Sequence, residues 1–183
     1  EILSEPLRDM YNPNCYGDPG KRSDEQYHCD SSDHGGVHSN AGVVSHAYAL
    51  LVDGGEYNGY NIPGIGLTKA AHIFWQAQRM YLSRTSGFKT LADGLEAACN
   101  DLRGVNLPGL SLTAEEASLS GEQIDANDSL ALSRVIAATE MRMDIDTCPE
   151  YEPVLNPDDE DWCNEVGKVF YPFYSENFEG DIP

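Results

Sequence analysis

The sequence predicts a mainly α-helical domain with a loop-rich start and an irregular acidic extension. Apolar residues return every three or four positions in successive windows between Val37 and Met141, which is the period of a helix burying one face. Residues 1–36 are instead dense in Gly, Pro, Asn, Asp and Ser. Residues 149–183 hold ten acidic residues against one lysine. These composition changes divide the chain into a helical lobe, 1–148, and an acidic, aromatic-containing extension, 149–183.

In chain order, Tyr11-Asn12-Pro13-Asn14 and Gly17-Asp18-Pro19-Gly20 form turns in the opening loops. A first helix is expected from about Val37, with Val43, Val44, Ala47, Tyr48 and Leu51 on its apolar side and Gly54-Gly55 as its stop. His38 then falls at the helix start. A second helix is expected from Thr68, as N-cap, to about Leu82, burying Ile73, Phe74, Ala77, Met80 and Tyr81. A third runs from about Phe88 to Arg103, with Leu91, Leu95, Ala98 and Leu102 on one face, and stops at Gly104. In the long connection that follows, Thr113 and Glu116 stand at capping-box spacing and predict one short helix. A last helix from about Asp128 to Met141 aligns Leu132, Val135, Ile136 and Thr139. These stripes are core packing. In the extension, Phe170, Tyr171, Phe173, Tyr174 and Phe178 are more aromatics than a disordered tail carries, so it is expected to pack on this domain, on missing polypeptide or on a neighbour.

At 183 residues the chain can bury a sizeable core. Acidic residues outnumber basic ones 31 to 11, a formal net charge of −20, which argues against nucleic acid and anionic membranes because both need a cationic footprint. Such a surface suits calcium or a salty medium. No apolar run is long enough to span a bilayer. The chain opens at Glu1 without a methionine or a signal peptide, and is expected to be soluble and processed or truncated there. Cys15, Cys29, Cys99, Cys148 and Cys163 have no C-x-x-C spacing, so disulfides in an oxidising compartment are the favoured reading, with reduced cytosolic cysteines as the alternative. Short separation favours Cys15–Cys29.

Chemistry concentrates in the first forty residues. His38 follows a Gly35-Gly36 turn, with Asp33 five residues before it. A carboxylate that accepts from one imidazole nitrogen fixes the ring and favours its cationic form, leaving the other nitrogen to present a proton to developing negative charge. A satisfied structural histidine is the competing reading of the same spacing. His28, Cys29, His34 and His38 are each of a zinc-ligand type, although Gly35-Gly36 disfavours a helix across the pair four apart. Asp125, Asn127 and Ser129 resemble the opening of a calcium loop, but its glycine and closing glutamate are missing.

The run Leu7-Arg8-Asp9-Met10-Tyr11-Asn12-Pro13, then Tyr16-Gly17-Asp18-Pro19, Asp33 through Gly42, Lys69 through Leu82, and Ser86-Gly87-Phe88 resembles, in order and spacing, the C-terminal helical lobe of thermolysin-like zinc metalloendopeptidases. The resemblance covers residues 7 to about 104, and is weaker over 130–148. It implies that His38 hydrogen-bonds the oxyanion of the tetrahedral intermediate and that Asp33 orients it. It implies that Arg8 grips the backbone carbonyl beyond the scissile bond, while Leu7 forms an apolar wall of the primed-side pocket. Zinc, its ligands and the general base belong in that family to an upstream lobe, and no His-Glu-x-x-His occurs in this chain. No metal ligand is therefore assigned here, although structural calcium would suit the charge. Some secreted bacterial members resemble this chain at Cys99 and at Thr147-Cys148-Pro149, which implies a Cys99–Cys148 bridge and leaves Cys163 for the missing lobe, a partner or no bond. His34 stands where the family usually has asparagine, and the connection after Arg103 is longer than the family's turn.

The resulting expectation is the C-terminal lobe of a secreted zinc endopeptidase, partnered by its N-terminal zinc-binding lobe and by a peptide or protein substrate. A noncatalytic structural or assembly component descended from such an enzyme is the alternative, and a calcium- or protein-binding module rests on charge alone. Intact Arg8, Asp33 and His38 favour the first.

Overall fold

The computed structural model describes residues 7–113 and 117–144. All of the described residues fall within one compact unit, Glu1–Glu152. The expected short helix at Thr113–Glu116 and the extension at 149–183 fall wholly or partly outside the described residues.

Among the described residues, four helices and a hairpin surround one core. Helix α1 (Ala41–Asp53) buries Val43, Ala47, Leu50 and Leu51. It starts four residues later than the apolar pattern predicts. Val37 and Asn40 already have right-handed helical dihedrals, but Asp33, His34, Gly35 and Gly36 before them all take positive φ, at 49°, 50°, 80° and 77°. The entry is thus a left-handed turn followed by an irregular right-handed one.

Strands β1 (Gly54–Tyr57) and β2 (Tyr60–Pro63) pair antiparallel, Gly54 opposite Pro63 and Tyr57 opposite Tyr60. Asn58 and Gly59 turn the chain with φ of 47° and 81°, the left-handed pair that a tight two-residue hairpin demands. Ile62 fills the core, and the Asn58 amide donates to the Ala138 carbonyl at 2.9 Å. The hairpin tip thereby satisfies the end of the last helix.

Helix α2 (Leu67–Met80) buries Ala70, Ile73 and Ala77, and its cap is Gly66 rather than Thr68. Met80 and Tyr81, expected inside, are exposed, whereas Phe74 packs edge-on against Tyr48 with ring centroids 5.0 Å apart. Helix α3 (Phe88–Asp101) buries Ala92, Leu95, Ala98 and Cys99. Isolated bridges at Arg103–Ile124 and Pro108–Leu119 order the long connection.

Helix α4 (Ala126–Ala138) aligns Leu132, Val135 and Ile136 in the core as its stripe predicts, with Thr139 buried just beyond. It starts earlier than expected because Asp125 caps it, accepting from the Asn127 and Asp128 N–H groups at 2.7 and 3.0 Å. Asp128 answers by accepting from the Asp125 N–H, completing a capping box, and also pairs with Lys69 of α2 at 2.9 Å. The calcium-like run Asp125, Asn127, Ser129 is accordingly a helix start. Among the described residues no helix is long and apolar enough to cross a membrane.

Both expected disulfides are corrected. Cys15 is a free thiol, exposed in a short 3-10 turn over Pro13–Tyr16, and the disulfide that Cys29 makes is not with it. Cys99 is also free, so no Cys99–Cys148 bridge forms. Its sulfur faces the core side of α3, 3.5 Å from the Ser129 hydroxyl, and burial pushes its thiol pKa up. A desolvated thiol of that kind packs as a small hydrophobe.

Candidate functional site

The left-handed turn exists because two of its four residues are glycines and the other two are held. A Cβ on Gly36 would stand 2.5 Å from the Asn40 amide nitrogen and 2.6 Å from the His28 Cβ. Asn40 occupies that space for a reason: its side chain accepts from the His28 N–H at 2.9 Å and donates to the His28 carbonyl at 2.9 Å. It ties the loop before the turn to the helix after it. We expect Gly36→Ala to cost about 2–4 kcal/mol, from left-handed strain plus displacement of packed neighbours. Urea denaturation measures this, and parental stability would show that the turn relaxes freely.

Within the turn, Asp33 serves His38 twice. Its Oδ2 accepts from the His38 and Ser39 N–H groups at 2.9 and 3.0 Å, and its Oδ1 lies 2.5 Å from His38 Nδ1. An ionised carboxylate can only accept, so Nδ1 carries the proton and the ring is fixed in orientation. The His38 side chain is 74% exposed, which leaves Nε2 at the surface. The bond from the His38 ring, with those from the Ser39 and His38 amides, holds the Asp33 carboxyl well below the usual carboxylate range.

That shift makes a stability prediction. Ionised Asp33 stabilises the fold fully above its unfolded pKa of about 3.9, and the contribution fades as pH falls toward the depressed folded value. Asp33→Asn should therefore be less stable than the parent at neutral pH, with the gap closing below about pH 4. Denaturant midpoints at the two pH values check this. A gap independent of pH would mean the carboxylate charge contributes nothing.

Leu7 is 89% exposed, Arg8 is half-buried, and no ion pair among the described residues engages Arg8. Among the described residues no hydrogen bond joins them to Asp33 or His38, and the segment that carries them meets α1 where His46 contacts the Met10 carbonyl. Sequence reasoning missed both Asn40 and His46. His46 sits in the apolar stripe of α1, and only its polarity amid Val43, Ala47 and Leu50 could have marked it.

The His28, Cys29, His34, His38 grouping does not assemble. The His28 ring turns to Ser32 and Asp30, each at 2.7 Å, and Cys29 is disulfide-bonded. Among the described residues no group of three or more His, Cys, Asp or Glu is placed to hold a metal ion. Behind the turn opens a cavity of about 420 Å³ with mainly apolar walls, including Tyr27, Val37, Phe88 and Leu91.

Residues 1–113 match the family described as "Thermolysin metallopeptidase, alpha-helical domain". Bacillolysin from Bacillus cereus is 33% identical over 117 residues, 64% of this chain and 20% of its own length. Thermolysin from Alicyclobacillus acidocaldarius subsp. acidocaldarius is 39% identical over 103 residues, 56% of this chain and 18% of its own length. A zinc metalloproteinase from Renibacterium salmoninarum is 35% identical over 109 residues, 56% of this chain and 20% of its own length. The chain thus spans about a fifth of the length of these relatives. With more than half of its residues inside that match, and with the helices and small hairpin described above, the chain belongs to the thermolysin metallopeptidases and carries their α-helical C-terminal domain.

Proposed function

We propose that this chain is the part of a secreted zinc endopeptidase that stabilises the oxyanion and binds the primed side of a peptide substrate. The observation that carries the reading is the Asp33–His38 pair, a surface imidazole locked by a carboxylate at 2.5 Å with its far nitrogen free to meet a ligand. Zinc, when bound, supplies Lewis-acid activation of the attacking water. The described residues offer no donor set that suits it, so its ligands and the general base lie on upstream polypeptide in this reading.

His38 Nε2 would donate to the oxygen on which charge develops, already aimed, so that no reorganisation is needed at the moment of reaction. Arg8 would place its planar guanidinium on the substrate carbonyl just beyond the cleaved bond. Leu7, exposed in this domain, would be covered by the upstream lobe and line the pocket for a bulky apolar residue.

Arg8→Lys in the assembled enzyme should raise KM despite conserving the charge, because a point ammonium cannot reproduce the guanidinium fork. His38→Ala should lower kcat instead. Parental kinetics in both variants would remove the reading and favour a noncatalytic descendant of the family.

A further inference from the structure

Helix α1 begins three residues after His38 and spans about 20 Å. Along it lie two contacts to the segment that carries Leu7 and Arg8. The His46 ring is buried, with Nδ1 2.8 Å from the Met10 carbonyl oxygen. A carbonyl can only accept, so Nδ1 bears the proton and donates. In the neutral ring Nε2 is then a lone pair, and it is buried with no hydrogen-bond partner among the described residues. Tyr57 packs against the ring edge-on, the ring centroids 4.3 Å apart. Burial pushes the His46 pKa down, against the Met10 carbonyl and the Asp24 and Asp9 carboxylates, which favour the cation. Seven residues further along the same helix face, Asp53 accepts from the Tyr11 hydroxyl.

The segment itself has a set shape. The Asp9 carboxylate accepts from the Tyr11 and Asn12 N–H groups at 2.8 and 3.0 Å, closing a turn of the Asx type. A turn fixed internally by Asp9 and held externally at Met10 and Tyr11 has little freedom to move against α1. Arg8 stands two residues from the Met10 anchor.

We propose that His46 is a positioning residue: by donating from Nδ1 to the Met10 carbonyl it fastens the Leu7–Asn12 segment, and with it Arg8, to the helix that leads from His38. The significance of this anchor for substrate rests on the function proposed above; the anchor itself does not. An apolar residue at position 46 would fill the same core space and leave the Met10 carbonyl without this donor. The orphaned Nε2 is the cost of that arrangement, since a ring in this tautomer cannot satisfy both nitrogens against one carbonyl.

The test uses the full 183-residue chain. Imidazole ¹⁵N shifts should show a protonated Nδ1 and a pyridine-like Nε2 for His46, and the opposite tautomer would overturn the proposal. His46→Phe keeps a ring against Tyr57 but removes the donor. Amide exchange at Tyr11 and Asn12 should then quicken by about five- to tenfold, the factor one net hydrogen bond is worth, while the amides of α3 stay protected. Unchanged exchange at Tyr11 and Asn12 would overturn it as well. Should α3 lose protection too, the variant has not folded, and the tautomer in the parent decides alone. In the assembled enzyme, His46→Phe should raise KM with kcat near parental; a fall in kcat at unchanged KM would refute a positioning role. If Arg8→Lys leaves KM untouched while the tautomer and exchange results hold, the substrate reading of Arg8 fails and the anchor stands. If Arg8→Lys raises KM but His46→Phe alters neither exchange nor KM, the anchor alone fails.

Discussion

Replacing His38 by alanine is expected to lower kcat of the assembled enzyme by about 10²–10³-fold, the loss typical of one preorganised oxyanion donor. The geometry makes the effect specific to the chemical step. The His38 ring is held by Asp33 at 2.5 Å, yet 74% of its side chain is exposed, so it contributes little packing that alanine would forfeit. Folding should survive. Substrate binding should change far less than kcat, because the donor meets full charge only in the transition state. Steady-state kinetics on one peptide, with circular dichroism to confirm the fold, measure both. Equal kcat in parent and variant would reduce His38 to a structural residue satisfied by Asp33. Asp33→Asn offers a graded comparison, since it keeps the side-chain volume while weakening the lock on the ring. Its kcat should fall between those of the parent and His38→Ala.

The helices are legible because burial leaves a period. Val43, Ala47 and Leu51, or Leu132, Val135 and Ile136, can lie on one face only if the backbone is helical, and all are buried. Helix starts are less legible because capping chemistry, not periodicity, decides them. Asp125 and Asp128 form a reciprocal cap, whereas the run Asp125, Asn127, Ser129 in the same stretch also resembles the opening of a calcium loop. The hairpin is written at Tyr57-Asn58-Gly59-Tyr60, a tight-turn signature, but the preceding Gly54-Gly55 reads equally well as a helix stop. In the site, Asp33 and His38 are close in sequence and their pairing is local. Asn40 and His46 act across loops, on His28 and Met10, and no spacing rule reaches those partners. The expected cysteine pairing fails for a related reason. Short separation predicts a Cys15–Cys29 bridge only if no other cysteine reaches Cys29 first, and Cys29 makes its disulfide elsewhere, which leaves Cys15 an exposed thiol.

The lone chain should hydrolyse no peptide and bind no zinc tightly, and activity should appear only when the upstream lobe is added. On the function proposed above, oxyanion donation from His38 and substrate grip from Arg8 would lower a barrier that some other group must first bring within reach, by presenting an attacking water. No described cluster of three or more His, Cys, Asp or Glu stands ready to do so. The opening segment also presents apolar surface: Leu7 is 89% exposed and Tyr11 is 61% exposed, both within the stretch that would border the cleft. Surface of that kind suits burial against a second lobe. The experiment is to purify the chain, measure bound zinc and peptidase activity, then add the upstream lobe and repeat both. Stoichiometric zinc or robust cleavage by the chain alone would sink the two-lobe division of labour and return attention to the histidines around the left-handed turn. An ordered complex that stays inactive would favour the structural descendant. Activity that appears on mixing, and is lost again with His38→Ala in this chain, would place the oxyanion donor on this side of the cleft and the metal on the other.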